Sequence, residues 1–170
     1  MGRFEKLNDD IRQLADKILE NQDLCKLIYY PDSDPLDQSS VNGKREILDK
    51  RLLLFTPKLP LAKETGTFVT IRPSPMRPSK GEYYIKTTLR FYIYCHKDIR
   101  DIYYYDSYGD DKKGDRALLI VDKIEEFMQN IGLSIGKENF GGVDEIANND
   151  STFSGYVVSY FDVDFRNQSK

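Results

Sequence analysis

The run from Glu82 to His96, EYYIKTTLRFYIYCH, alternates between two kinds of side chain. Its odd-numbered positions are mostly apolar and its even-numbered positions are polar or tyrosine. This is the two-residue period of a strand with one buried and one wet face. At about 3.3 Å per residue the run would span roughly 45 Å, about twice the length of an ordinary strand. We therefore expect a sheet built around one long strand, whose tyrosine-rich face meets a partner.

The segment before this strand predicts its pairing partner. Thr67–Arg72, TFVTIR, alternates in the same way, and the connector PSPMRPSKG follows it. The connector has three prolines and carries Arg77 and Lys80, with Arg72 at its edge. Because proline restricts the backbone, we predict an antiparallel hairpin over residues 67–96 with a stiff, basic tip.

Apolar residues at helical spacing predict a first helix over residues 8–30. The acidic run Asn8–Asp10 suits the positive end of a helix, and Pro31 ends the pattern. Whether Asn21–Asp23 interrupts this helix stays open. A second helix is predicted over residues 115–131, with Asp115 as its N-cap and a glycine as its stop.

A strand over residues 156–165 closes the chain, with Val157 and Val163 expected on one side and Val158 and Tyr160 on the other. Shorter segments are interpreted as a helix or strand over 44–55, strands over 102–105 and 133–135, and loops over 31–43, 107–115 and 140–155. Together these elements predict a single α+β domain: a central antiparallel sheet with a long β-hairpin, flanked by helices on one face.

The length, net charge and composition of the chain limit the class of protein to which it can belong. A length of 170 residues is enough for a core without disulfides or metal, and the net charge of -3 argues against general nucleic-acid binding. Charged residues stand where a signal peptide would be apolar, and no apolar stretch approaches the ~20 residues of a membrane helix. We therefore expect synthesis in a cytosol and no membrane partner. Cys25 and Cys95 lie in apolar patterns and are predicted to be buried, reduced thiols.

Catalytic and metal-binding patterns are weak in this sequence. His96 is the only histidine, and it lies next to Cys95 on a strand, so the two side chains should point to opposite faces and form no dyad. Asp32, Asp34 and Asp37 lack the glycine and glutamate of a calcium loop and indicate a surface turn. No nucleotide-binding glycine motif is present. We predict no catalytic, cofactor or metal site, and no enzyme activity.

The residues expected to make contacts between subunits or with partners are basic or aromatic. The hairpin tip supplies one group, because a stiff basic arm suits an acidic neighbour or a modest contact with phosphate. A run of tyrosines at a loop edge supplies the other, because tyrosine is enriched in protein interfaces. The candidates are Arg72, Arg77, Lys80, Tyr103, Tyr105 and Tyr108.

Four segments occur in an order that resembles a known family: LCKLIYYPDSDPL, LRFYIYCHKD, GDRALLIVDKIEEFMQNIG and NNDSTFSGYVVSYFDVDF. Together they resemble the small neck proteins of tailed phages and prophages, of the tail-terminator or tail-completion type. The resemblance covers most of the chain, from about Asp10 to Phe165.

This resemblance implies an α+β fold and a hexameric ring that caps the tail tube and joins it to the head-connector protein. It implies that DNA passes through the lumen, with non-specific contact at most, and that the protein is assembled in the host cytoplasm into the virion. It places an extended arm at Pro73–Gly81. Two alternatives stay open: a head–tail connector, stopper or other minor tail protein, and a metal-dependent nuclease using Asp162, Asp164 and Glu82.

Overall fold

A computed structural model of the protein describes residues 3–55, 64–78, 85–106, 108–130, 140–146 and 152–163. The helices are α1 Arg3–Ile18, α2 Gln22–Tyr29, α3 Gly43–Glu46 and α4 Arg116–Asn130, with single 3-10 turns at Pro35–Asp37 and Lys97–Ile99. The strands are β1 Leu52–Leu54, β2 Thr67–Pro78, β3 Ile85–His96, β4 Asp101–Tyr105, β5 Asp111–Asp115, β6 Phe140–Ile146 and β7 Phe153–Val163. The fold is α+β, as the sequence predicts.

The main sheet has five strands in the order β1-β2-β3-β7-β6, and β4 and β5 form a separate two-stranded sheet. The pairs β2–β3, β3–β7 and β6–β7 are antiparallel. Only the short strand β1 runs parallel to its neighbour β2. The predicted antiparallel sheet is therefore confirmed in its centre and is mixed at one edge, with the long strand β3 in the middle.

The long hairpin is confirmed, and β2 extends further than predicted. β2 and β3 pair from Thr67 opposite Cys95 to Pro78 opposite Ile85, with an irregular register between Ser74 and Arg77. The strand thus includes much of the connector that was expected to be a separate tip. Proline is tolerated in an edge strand or a bulge because its missing N–H leaves no broken bond there.

The main-chain hydrogen-bonding groups along the outward edge of β2 differ on the two sides of the end of β1. The Val69 N–H donates to the Arg51 carbonyl at 2.8 Å, and the Ile71 carbonyl accepts from the Phe55 N–H at 3.0 Å. The main-chain groups of these two residues therefore face β1. Pro73 occupies the next outward-facing position of the same period. It presents a carbonyl but no N–H beyond the end of β1.

One face of the main sheet forms the core. Leu89, Phe91, Ile93 and Cys95 of β3 are fully buried and belong to a hydrophobic cluster that includes the apolar stripes of α1, α2 and α4. Helix α4 packs on β3 and β7, and α2 packs on β2. The prediction of helices on one face is confirmed. The even-numbered residues of β2 up to Ser74 and of β3 from Thr88 onward form the opposite side of the sheet, which we call the outer face.

The helix ends are set by side-chain caps. The predicted helix over 8–30 is two helices, since Asn21 accepts from the Leu24 N–H at 3.1 Å and begins α2. The first helix begins at Arg3, before the acidic run expected to open it. Asp115 caps α4 as predicted, because its carboxylate accepts from the Ala117 N–H at 2.8 Å. No helix in the described ranges is both long and apolar enough to cross a membrane.

Several segments differ from their predicted structure. The segments predicted as loops over 107–115 and 140–155 contain β5 and β6, which pair with β4 and β7. The ambiguous segment 44–55 contains both a short helix, α3, and a strand, β1. The expected strand over 133–135 lies outside the described residues. Glycine-rich and charged segments of this kind become strands because a neighbouring strand supplies the pairing, which local patterns do not reveal.

The alternation of β7 is also broken. Its register against β3 shifts between the pairs Thr87–Val163 and Leu89–Tyr160. As a result Val158, Tyr160 and Val163 are all buried in the same cluster, although they were predicted to lie on two different sides. An irregularity in one strand adds a residue and reverses the face of everything beyond it.

Candidate functional site

Two arginines stand opposite each other on the outer face of the sheet. Arg72 of β2 is paired in register with Arg90 of β3. Arg72 is exposed and Arg90 is half-buried, and within the described residues neither lies within ion-pair distance of a carboxylate. Like charges that are directly opposite across a sheet are destabilising on their own. This pair is therefore suited to an anionic partner.

Two tyrosines continue this surface along β3. The rings of Tyr92 and Tyr94 are nearly parallel, with centroids 6.5 Å apart. Burial raises the pKa of Tyr94 and the neighbouring Tyr92 raises it further, while the positive charge of Arg72 lowers it. The field of Arg72 thus reaches the tyrosine pair. We call the surface made of Arg72, Arg90, Tyr92 and Tyr94 the arginine face.

The rest of the predicted basic tip is only partly described. Arg77 lies in β2 opposite Lys86, and only its backbone is described. Lys80 lies outside the described residues. Of the three predicted basic contacts, Arg72 is therefore the one whose surroundings are defined. Arg90, Tyr92 and Tyr94 were not named among the candidate contacts, although the tyrosine-rich face of the long strand, on which they lie, was expected to meet a partner.

The three predicted tyrosines occur together in the β4–β5 hairpin. Tyr103 is 50% exposed and Tyr105 is 62% exposed, whereas Ile102 on the same strand is fully buried. Tyr108 lies in the turn between the strands and is 91% exposed. Asp106 fixes this turn, because its carboxylate accepts from the Tyr108 N–H at 2.9 Å. The hairpin therefore presents aromatic side chains from a defined backbone.

A concavity of about 260 Å³ lies between this hairpin and the 3-10 turn Pro35–Asp37. The Tyr103 N–H donates to the Ser33 carbonyl at 2.6 Å and holds the two segments together. The lining residues are Asp34, Leu36 and Asp37 from the loop, and Tyr103, Tyr104, Tyr105 and Asp111 from the hairpin. We call this site the acidic concavity.

The three carboxylates of the acidic concavity are without an ion-pair partner among the described residues, although Lys26 lies beside the site and donates to the Leu36 carbonyl at 2.9 Å. Asp34, Asp37 and Asp111 form no ion pair with any lysine or arginine of the described residues. Sequence reasoning interpreted Asp34 and Asp37 as part of a surface turn and did not connect them to the tyrosines. The site joins segments about seventy positions apart, so only the folded chain brings its aromatic and acidic groups together.

Arg116 anchors the base of the hairpin from the N-terminus of α4. Its side chain is fully buried. The guanidinium donates to the carbonyl of Ile99 at 2.8 Å and to that of Leu27 at 3.0 Å, and also to the carbonyls of Tyr30 and Asp32. Burial lowers the pKa of Arg116. One cation therefore joins the C-terminal end of α2, the 31–34 loop and the start of β4.

Arg100 joins the same region to the main sheet. Its Nε donates to the Asp115 carboxylate at 2.6 Å, and its Nη2 donates to the Tyr156 hydroxyl at 3.0 Å. A further bond joins its Nη1 to the Ser154 hydroxyl. Arg100 and Arg116 thus hold the walls of the acidic concavity in place, without pointing toward the outer face.

The structure places Arg72 in the main sheet, whereas Tyr103 and Tyr105 lie in the separate β4–β5 sheet. Arg90 and His96 are six residues apart on β3, which is about 20 Å along a strand, and the tyrosine hairpin begins only after His96. The described residues thus form two surfaces, one basic and one acidic, and each carries tyrosines.

The other candidate groups are described only in part. Cys95 points into the core, 3.7 Å from the Thr67 hydroxyl, while the His96 ring packs against Phe153 on the outer face. Asp164 and Glu82 lie outside the described residues, and only the backbone of Asp162 is described. Among the described side chains, no group of three histidines, cysteines or carboxylates is placed to hold a metal ion.

A family model described as YomW matches residues 21–161. The chain belongs to the YomW family. This family is of prophage type, so the chain is a phage-derived protein. The matched span covers both the arginine face and the acidic concavity of this YomW-family chain. No curated protein matches the chain, and no solved structure matches it.

Proposed function

We propose that this protein is a structural component of a tailed-phage neck, a tail terminator that caps the tail tube and joins it to the head connector as a hexameric ring. The protein acts by assembly and not by catalysis, and it resides in the neck of the virion after assembly in the host cytoplasm. The support is its prophage-type family and the four segments that resemble tail-terminator proteins.

One structural observation carries the proposal furthest. The helices pack on one face of the sheet, so the long β2–β3 hairpin presents its arginines and tyrosines on the other face. Tyrosine and arginine are the residues that most often dominate binding energy at protein interfaces. Burial of tyrosine between subunits would provide affinity, and charge would fix the register of neighbours.

In the lumen of the proposed ring, the basic residues would face DNA as well as neighbouring subunits. DNA that passes through a ring contacts cationic side chains through its phosphates, and such contact is weakened by salt and independent of sequence. Arg72 and Arg90 can make contact of this kind without a base-reading element. Any DNA binding by this protein is therefore expected to be weak and non-specific.

The test is whether the purified protein forms rings and binds tails. Light scattering gives its native mass, negative-stain imaging gives its shape, and co-sedimentation with purified tail tubes gives its partner. A ring of about six copies that binds tube ends supports the proposal. Binding to the head-connector protein without binding to tubes would instead assign a connector or stopper. Failure to bind either one would contradict a role in the neck.

A further inference from the structure

The two surfaces of this molecule carry opposite charges that are not balanced on the surface itself. The arginine face has two opposed cations, Arg72 and Arg90, without an ion-pair partner among the described residues. The acidic concavity gathers Asp34, Asp37 and Asp111, which form no ion pair among the described residues, although Lys26 lies beside it and donates to the Leu36 carbonyl at 2.9 Å. Each cluster repels itself, and contact with a surface of opposite sign would relieve the repulsion of both.

The chemistry of the concavity suits an arginine side chain. A guanidinium stacks on aromatic rings and donates in pairs to carboxylates, and it is more weakly hydrated than an ammonium group. The concavity is lined by three tyrosines of the hairpin together with three aspartates. Its volume of about 260 Å³ is enough to receive a side chain and is small for a folded segment.

We infer that the arginine face of one copy docks into the acidic concavity of a second copy. This inference rests on the proposed function, because it names the contact between subunits of the ring. Arg90 lies about 20 Å along β3 from His96, after which the chain leads to the β4–β5 hairpin, and no ion pair joins the two surfaces among the described residues. A second copy has surfaces of both charges and can therefore complement both the arginine face and the acidic concavity. DNA has only negative phosphates and would complement the arginines alone.

The contact is head-to-tail, and this has a consequence for assembly. Each copy uses one surface to bind its neighbour and leaves the other surface free. Such heterologous contacts extend from copy to copy until the rotation closes a ring. A two-fold dimer whose axis passes through the arginine face would instead bring Arg72 and Arg90 of both copies together and increase the repulsion.

Two variants remove one surface each while they keep side-chain size. One carries Arg72→Gln and Arg90→Gln, and the other carries Asp34→Asn and Asp111→Asn. In sedimentation velocity, each variant alone is expected to self-associate about 100-fold more weakly than the parent protein. A mixture of the two has one competent junction and is expected to stop at a 1:1 heterodimer.

Matched controls change charge elsewhere. Arg12→Gln with Lys97→Gln removes two exposed cations away from the arginine face, and Glu20→Gln with Asp122→Asn removes two exposed carboxylates away from the concavity. Both controls should assemble as the parent does. Their behaviour separates a specific contact from a general effect of net charge, which also changes association.

Several results would overturn the inference. They are parent-like assembly of either surface variant, a mixture that stays monomeric, and a parent protein that stays monomeric at every concentration. A fourth is an arginine variant that assembles normally but no longer binds a fluorescent DNA duplex, since the arginines would then contact phosphate. If rings form and bind tails despite neutralised surfaces, this contact is wrong and the neck role stands.

Discussion

Arg100 and Arg116 hold the base of the β4–β5 hairpin, whereas Arg72 and Arg90 stand on the outer face of the main sheet. The first pair is surrounded by acceptors: a carboxylate, hydroxyls and main-chain carbonyls receive the guanidinium protons. The second pair has no carboxylate within ion-pair distance in the described part of the chain and faces like charge across the ladder. The same side chain therefore serves two purposes in one molecule.

This contrast distinguishes arginines that stabilise the fold from arginines that are available to bind a partner. A buried cation is tolerated only when hydrogen bonds compensate the loss of water, so Arg116 is fixed by what surrounds it. An exposed cation keeps its water and contributes little to folding, so a cluster of such cations is retained for another reason. If this is correct, substitutions in the first pair should affect stability and substitutions in the second pair should affect association.

The largest expected effect is at Arg116. Arg116→Met fills similar space but leaves the carbonyls of Leu27 and Ile99 without their donor in a buried site. We expect a loss of about 4 kcal/mol in the free energy of unfolding, the range for breaking a buried charged network. Urea denaturation followed by circular dichroism measures it. Exposed Arg12→Met on α1 is the control, and an equal effect at both sites would break the comparison.

A smaller effect is expected at Arg100, which retains some access to water. Arg100→Gln removes the ion pair with Asp115 and the bond to Tyr156. The side chains of Arg100 and Asp115 are 23% and 22% exposed, so we expect a loss of about 2 kcal/mol. The same denaturation assay applies. A double-mutant cycle with Tyr156→Phe should give a coupling energy, and additive effects would show that the hydroxyl does not contribute.

Asp10 tests a buried charge of the opposite sign. Burial raises the pKa of Asp10, which the positive charge of Lys6 lowers only in part. The stability due to this group is therefore fully present below the ordinary aspartate pKa and is lost as pH rises through the raised value. Asp10→Asn should be more stable near neutral pH by about 0.5 kcal/mol, with the gain disappearing in acid. Urea midpoints across pH check this, and lower stability at neutral pH would contradict it.

The smallest effect on folding is expected at the arginine face. Arg72→Gln with Arg90→Gln should change the unfolding free energy of dilute, monomeric protein by less than about 0.5 kcal/mol, because Arg72 is exposed, Arg90 is only half-buried and neither forms an ion pair among the described residues. Relief of the repulsion between them could even raise it slightly. A loss comparable to that at Arg100 would mean that these arginines are structural, and the contrast between the two pairs would fail.

The long hairpin and the cap at Asp115 could be predicted from sequence because their signals are local. Fifteen residues of strict alternation identify β3, and an aspartate before an apolar helical stripe identifies the start of α4. The strand β6 could not be found in the same way. Its sequence FGGVDEI has turn-forming glycines, Gly142 has φ of 111°, and it becomes a strand by pairing with β7.

The candidate site was predicted only in part for the same reason. Along β4 the exposed Tyr103 and Tyr105 alternate with the buried Ile102 and the half-buried Tyr104, and this local pattern indicates exposed aromatic residues. The carboxylates of Asp34 and Asp37 reach them through the chain fold, which an N–H of β4 and the side chain of Arg116 hold in place. A buried arginine that organises two segments has no sequence pattern of its own, since arginine is ordinarily exposed.

Pro73 has a consequence for copies of this protein that are waiting for a partner. Strand-to-strand addition at a sheet edge is slow to reverse and leads to aggregates. Beyond the end of β1, the outward edge of β2 offers a carbonyl at Pro73 and no N–H to continue a ladder. A neighbouring strand gains no N–H from β2 at Pro73, so side chains supply more of a contact at this position, and contacts between exposed charges are weakened by salt. A copy that has bound in the wrong position can then dissociate and bind again.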